Sequence, residues 1–516
     1  MTPSAPDNPS PPQPPRKRAK HTRSRLGCGV CRIRRVRCDQ ARPFCERCTT
    51  TGRTCDGYSL PIEDNSSTDA KPPNTLQLLS RPPSLALQEV PREFTLGPQA
   101  GRSFQYFQQN TALEFAGYFN SDLWSSLVLQ ISRRETCVQQ MVVALGLLHE
   151  SFRHDHAGPQ CDSPALALRK QAINQYSEAI RLLNSHISTY GWASLEITLL
   201  CSILCVAFEW LRGDYVAART HLLSSISIMF DWTDKNPQHN ATSSSSPSGH
   251  MIRTKLRPVC ITLVLQARTM SSSFKLPWNL VLDAKEDIQP FETLQQARDS
   301  LDLLLADTLP DTVSSKATGQ TFNERVWENT RQLTRWSQHF STYLSKNGLE
   351  ESSSAPLIIM KLWHTTAFML LTASMNNDEM NFDVFFLDFT DIVEKTRGLV
   401  LSSSTKFSVD IGVVPLLYYV ALKCRHPQVR REAISMLTSA PRREAVWDSL
   451  GAACVLQEVM EVEERGLGEV YTHADIPSSA RVCNMHAVTD VENRRIQIRT
   501  MQQGPMTWSE DKILTW

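Results

Sequence analysis

Residues 28–55 read CGVCRIRRVRCDQARPFCERCTTTGRTC. Six of the chain's fourteen cysteines lie in this stretch, spaced C-x2-C-x6-C-x6-C-x2-C-x6-C, an internal duplication with a period of seventeen. A structural zinc takes four ligands in a tetrahedron. Two separate zinc sites would need eight thiolates, so Cys28, Cys31, Cys38, Cys45, Cys48 and Cys55 serve two Zn2+ ions only if one cysteine of each half bridges both. About thirty residues whose main apolar side chains are Leu26, Ile33, Val36 and Phe44 are too few to build a self-sufficient core, so metal binding has to replace it. A disulfide framework is the competing reading. The proline-rich first fifteen residues hold no basic run ahead of an apolar one and so do not read as a secretory signal, which points to a reducing compartment and to zinc.

The two x6 segments differ. Arg32, Arg34, Arg35 and Arg37 fill four of the six places between Cys31 and Cys38, whereas three threonines, Gly52, Arg53 and Thr54 lie between Cys48 and Cys55. On a short helix after Cys31 the four arginines form a charged surface, and arginine suits bidentate contact with guanine and phosphate. Upstream, Arg16, Lys17, Arg18, Lys20, Arg23 and Arg25 form a basic run that reads as a phosphate-binding arm or a nuclear-localisation signal. The net charge of +1 hides this asymmetry: Arg16 to Cys55 holds thirteen Lys and Arg against Asp39 and Glu46, a net +11, and the remainder is −10. A basic head on an acidic body implies a polyanion partner for the head alone.

The stretch Cys28–Cys55 resembles the fungal binuclear zinc-cluster (Zn2Cys6) DNA-binding domain. The resemblance implies that Cys28 and Cys45 bridge, that Cys31 and Cys38 complete one zinc and Cys48 and Cys55 the other, and that Pro43 shapes the loop between the halves. It also implies that Arg34 and Arg35 sit where the family reads a CGG-type triplet, with Arg35 replacing a frequent lysine. FQYFQQNTALEFAGYF (104–119), VVALGLLHE (142–150) and PRREAVWDS (441–449) are similar to the fungal-specific transcription-factor regulatory domain. The family often carries a dimerising heptad directly after the cluster, which this sequence lacks, leaving monomer binding or a homodimer through the helical body open.

Pattern and composition divide the chain into a disordered basic tail (1–25), the cluster (26–57), a proline-punctuated linker (58–101), an all-α body (102–490) with a Ser/Asn-rich disordered insert near 236–249, and a C-terminal tail (491–516). Amphipathic stripes support the helices: Ile173, Tyr176, Ile180, Leu183 and Ile187 after a start at Ser163–Pro164; Tyr215, Ala218, Leu222, Ile226 and Met229 after Gly213–Asp214; and Phe382, Phe385, Phe386, Phe389, Ile392 and Val393. Pro427 and Pro441 each mark a further helix start, and strand-like alternation is scarce. The longest apolar run, Ile197–Phe208, is too short to cross a bilayer, so no membrane association is expected.

Other candidates fall to plainer explanations. His149-Glu150 with His154 has one residue too many for a zincin helix, because the second histidine lies about 140° from alignment. Cys201 and Cys205 sit inside the apolar run and read as core, and Cys137, Cys161, Cys260, Cys424, Cys454 and Cys483 are scattered. The acidic stretch Glu458, Glu461, Glu463 and Glu464 reads as a solvated helix face, with a transactivating surface as the sharper alternative, and the aromatic stripe 382–389 as core rather than an effector pocket. No phosphate loop, nucleophile elbow or dinucleotide turn appears, so no enzyme is expected. The chain reads as a nuclear, sequence-specific regulator of RNA polymerase II transcription that binds double-stranded DNA and engages transcription machinery or coregulators. Such regulators often serve secondary-metabolite gene clusters. The rival is a zinc-dependent protein-interaction scaffold or corepressor that never reads DNA, but a scaffold has no use for the arginine asymmetry.

Overall fold

The structure, a computed structural model, describes residues 28, 30–31, 34, 36–41, 45–52, 55, 96–119, 121–155, 164–234, 247–270, 288–313, 320–374, 378–491 and 493–516. The chain falls into two units, Met1–Leu87 and Gln88–Trp516. The basic run 16–25, Arg32, Arg35, Pro43, Ser163 and Cys161 lie outside the described residues, as does most of the expected linker and insert.

The second unit is built mainly of helices: α1 (Pro98–Tyr106), α2 (Thr136–Asp155), α3 (Pro164–Tyr190), α4 (Leu195–Arg212), α5 (Tyr215–Asp234), α6 (Arg257–Met270), α7 (Leu294–Val313), α8 (Gln320–Lys346), α9 (Ala355–Ala373), α10 (Phe386–Ser402), α11 (Val414–Lys423), α12 (Pro427–Ser439) and α13 (Ser449–Glu464). Proline's fixed φ and missing N–H suit a first helical position, and α3 and α12 open on Pro164 and Pro427. Gly213 closes α4 with φ 92°, and the Asp214 carboxylate accepts the Ala217 N–H at 2.9 Å to start α5. On α5 the residues Ala218, Leu222, Ile226 and Met229 are all buried, as their spacing requires. The α3 stripe is shallower: Tyr176 and Leu183 are buried, whereas Ile173 is exposed.

A helix apolar all round belongs in the centre of a large protein. Nearly every side chain of α4 is buried, Cys201 and Cys205 included. Helix α9 is long and apolar enough to span a membrane by length and composition, a feature the sequence reading passed over, but most of it is buried in the core. The core is continuous, running from Phe104 and Phe107 through α2 and α4 to Leu514.

Helices α1 and α2 approach closely at Gly146, where an added Cβ would lie 2.3 Å from the Ser103 carbonyl oxygen. Because that neighbour is backbone, Gly146→Ala is expected to destabilise the chain by about 1–3 kcal/mol. Gly398 on α10 faces open space, so Gly398→Ala should instead stabilise by about 0.5–1 kcal/mol. Opposite shifts in thermal midpoint, measured side by side on the full chain, check both signs.

Four expectations are corrected. Residues 491–516 are not a tail: β4 (Val482–Asp490), β5 (Arg495–Gln502) and β6 (Lys512–Thr515) form an antiparallel sheet that buries Ile496, Ile498 and Leu514 in the main core. Pro441 opens no helix; it precedes a small sheet in which β2 (Arg443–Glu444) pairs in parallel with β1 (Phe407–Ser408) and antiparallel with β3 (Trp447–Asp448). The side chains explain this. Arg443 donates to the Trp210 carbonyl at 2.5 Å, and the Glu444 carboxylate accepts the Val414 N–H at 2.8 Å at the start of α11, which only an extended, buried segment allows. The end of the insert expected near 236–249 is helical, since a helix begins at Pro247.

The acidic stretch on α13 is likewise neither a solvated nor an activating face. Glu463 is fully buried between Arg425 and Arg430, Glu458 is buried against Lys512, and Glu464 pairs with Arg431; only Glu461 is exposed. The aromatic stripe behaves as core, with Phe382 and Phe389 buried. His149 is buried against the Thr111 hydroxyl at 3.0 Å and Glu150 pairs with Arg102 at 2.5 Å, so the zincin-like residues hold helices together.

Candidate metal centre and DNA-facing residues

In a unit this small the backbone is organised around sulfur. Val30 and Cys31 start a helical turn in which the Arg34 N–H reaches the Val30 carbonyl and the Val36 N–H the Cys31 carbonyl, both at 3.1 Å. In the second half Cys45 is the N-cap of the short helix Glu46–Thr49. That helix start is held by Asp39, whose two carboxylate oxygens accept the N–H groups of Glu46 at 2.8 Å and Arg47 at 3.3 Å. Desolvation works to raise the Asp39 carboxyl, but those N–H groups hold it below the ordinary carboxylate range. Sequence reasoning counted Asp39 only as a charge, because its cap lies seven residues ahead.

All six cluster cysteines are buried. The Cys28 Sγ lies 3.6 Å from that of Cys45 and 3.8 Å from that of Cys48; the Cys31 Sγ lies 3.7 Å from Cys45 and 3.9 Å from Cys48. A zinc–sulfur bond of about 2.3 Å sets the edge of a ZnS4 tetrahedron at about 3.8 Å, so these separations fit thiolates around zinc. Cys38 joins the set through Cys45, with Asp39 within the same 4.8 Å, and the Cys55 Sγ accepts the Cys45 N–H at 3.5 Å. Cys45 thus touches both halves. Burial pushes the Cys28 thiol up to about 12 and raises Cys31 and Cys45 as well. Such thiols become thiolates only beside a strong positive charge, which bound zinc supplies.

The halves differ in structure as in composition. The hydroxyls of Thr49, Thr50 and Thr51 turn back onto carbonyls of their own helical turn, Thr50 onto Glu46 at 2.6 Å and Thr51 onto Arg47 at 2.8 Å. Arg34 is half-buried and donates to the Thr51 hydroxyl at 3.2 Å, joining positions that match across the seventeen-residue repeat. Arg37 is exposed.

A family model described as the fungal Zn(2)-Cys(6) binuclear cluster domain matches residues 26–64. The chain is similar to the aspercryptin biosynthesis cluster-specific transcription regulator of Emericella nidulans, 21% identical over 89% of this chain and 91% of that one. It is also similar to transcription regulator lscL of Purpureocillium lilacinum, 29% identical over 39% of this chain and 48% of that one. A Zn(2)-C6 fungal-type transcription factor of Aspergillus fumigatus is 28% identical over 38% of this chain and 53% of its own length. No solved structure matches the chain.

Proposed function

We propose, from the premise that this chain is a fungal Zn(2)-Cys(6) transcription regulator, that its cluster reads CGG-like triplets in the major groove of double-stranded DNA through Arg34 and Arg35, flanked by Arg32 and Arg37. The observation that carries the reading is the asymmetry of the two halves: threonine hydroxyls folded onto their own backbone on one side, arginines on the other. On this reading Cys28 and Cys45 would hold both zinc ions, with Cys31 and Cys38 completing one site and Cys48 and Cys55 the other. When bound, the zinc ions draw the six sulfurs together as thiolates and so fix the backbone that presents the arginines. The hydrogen bond to Thr51 orients Arg34 and leaves most of its guanidinium donors for a base edge.

The basic run 16–25 adds sequence-independent phosphate affinity and directs the chain to the nucleus, and the helical body engages coregulators. The similarity to the aspercryptin regulator supports a target among secondary-metabolite biosynthetic genes. No enzymatic activity is proposed.

Selection of a randomised duplex pool on the full chain, with zinc and after chelation, tests the reading. Enrichment of CGG-like triplets that chelation abolishes is expected; retention without enrichment would move the reading to a scaffold. Arg34→Ala or Arg35→Ala should weaken the selected site by about 1–3 kcal/mol, whereas Lys17→Ala should weaken all DNA alike and reduce the salt slope by about one. Equal losses for Arg35→Ala on selected and scrambled duplexes would remove its reading role.

A further inference from the structure

Cys137 is the second residue of α2, and Cys201 lies within α4. Their sulfurs are 3.9 Å apart, with the Cys201 thiol donating to Cys137. Both side chains are buried, at 2% and 0% exposure. The distance is a van der Waals contact, and the roughly 2.05 Å of a disulfide requires both side chains to move closer.

We propose that Cys137 and Cys201 form a redox-modification site, a thiol pair that a peroxide converts to a disulfide tying α2 to α4. The two thiols are not equivalent. Cys137 stands in the first turn of a twenty-residue helix, where backbone N–H groups lack intrahelical partners and favour negative charge. The hydrogen bond from Cys201, with help from the Val138 N–H, lowers the Cys137 thiol from its ordinary value, while Cys201 is raised well above it. Burial and then Glu135 oppose the shift at Cys137, and that carboxylate is itself 3.4 Å from His186. On this proposal Cys137, the first-turn sulfur that accepts the Cys201 S–H, attacks and Cys201 resolves.

The chemistry balances with peroxide as the oxidant. The Cys137 thiolate attacks one peroxide oxygen, the O–O bond breaks, and hydroxide leaves to take up the proton that Cys137 gave up, giving a sulfenic acid and water. Cys201 sulfur then attacks the Cys137 sulfur, the S–O bond breaks, and the departing hydroxide takes the Cys201 proton as a second water. Two thiols lose two electrons and peroxide gains them. The site belongs to the body and does not rest on the DNA-binding reading.

The test treats the full zinc-loaded chain with equimolar hydrogen peroxide, alkylates what remains reduced and maps peptides without reductant. A Cys137–Cys201 peptide pair, two hydrogens lighter than its reduced parts and released by dithiothreitol, is expected. It should form at least about tenfold faster than Cys260 is oxidised, since Cys260 is pushed up to about 12 by burial alone. Cys201→Ser should leave Cys137 as a sulfenic acid that dimedone traps, and Cys137→Ser should abolish both products. The proposal is overturned if Cys137 and Cys201 stay alkylated, or if they are lost no faster than Cys260. The wild-type map decides this even if a serine variant fails to fold.

Discussion

Replacing Cys45 by alanine is expected to cost the chain both zinc ions and all sequence-specific DNA binding, a larger effect than removing any cluster cysteine that serves one metal. The Cys45 sulfur has neighbours from both halves: Cys28 at 3.6 Å, Cys31 at 3.7 Å, the Cys38 group, and Cys55, whose Sγ accepts the Cys45 N–H at 3.5 Å. It also starts the helix Glu46–Thr49, so its loss removes a metal ligand and the point where the second half turns. Structural zinc contributes on the order of 10–16 kcal/mol to units of this kind, far more than their few apolar side chains can supply. Metal analysis of the purified chain should give two zinc per wild-type chain and none for Cys45→Ala. Binding to the selected duplex should fall to the level of scrambled DNA, a loss on the order of 10³-fold or more. Cys55→Ala should retain one zinc. One zinc in the wild type would instead favour a single site made by Cys28, Cys31, Cys45 and Cys48, whose sulfurs also lie within 4.8 Å of one another.

The cluster was legible because everything that defines it is local: six cysteines in twenty-eight residues, with four arginines in one x6 segment and one in the other. The helices were legible for the same reason, since an apolar stripe such as Ala218, Leu222, Ile226 and Met229 and a proline at a first turn act within a few residues. Asp39 was invisible because the N–H groups it holds lie past a loop. The C-terminal strands carried a signal in Arg495, Ile496, Gln497, Ile498 and Arg499, an alternation of period two, but its apolar face is meaningful only once α13 is there to receive it. Trp516 lies 3.3 Å from where a Cβ on Gly451 would stand, which shows how closely that segment docks on α13. Buried charge is the hardest case. Glu463 looks like any acidic helix residue, and its partners Arg425 and Arg430 lie 38 and 33 residues away, where no periodicity reaches.

That carboxylate should be the most sensitive single position of the helical body. Both side chains of the Arg425–Glu463 pair are fully buried. One Glu463 oxygen accepts Arg425 Nη2 at 2.9 Å and the Val482 N–H at 2.7 Å; the other accepts Arg430 Nη2 at 2.6 Å. Arg425 continues to Glu379 at 2.8 Å, which Lys423 meets at 2.7 Å, so α11, α12, α13 and the first residue of β4 share one network. Glu463→Gln removes one of two negative charges facing three positive ones, and breaking a buried pair in this way costs about 3–5 kcal/mol because the remaining cations are uncompensated. The pH dependence has a definite sign. Burial alone would raise the Glu463 carboxyl, but Arg425 and then Arg430 overcome it and bring it down from 4.5 to about 2. A folded-state value below the unfolded one means the stabilisation is fully present above about pH 4.5 and is lost as pH falls toward about 2. Denaturant midpoints of wild type and Glu463→Gln should therefore differ most at neutral pH and converge in acid. A gap that stays constant from pH 7 to pH 3 would mean that shape at this position matters and its charge does not.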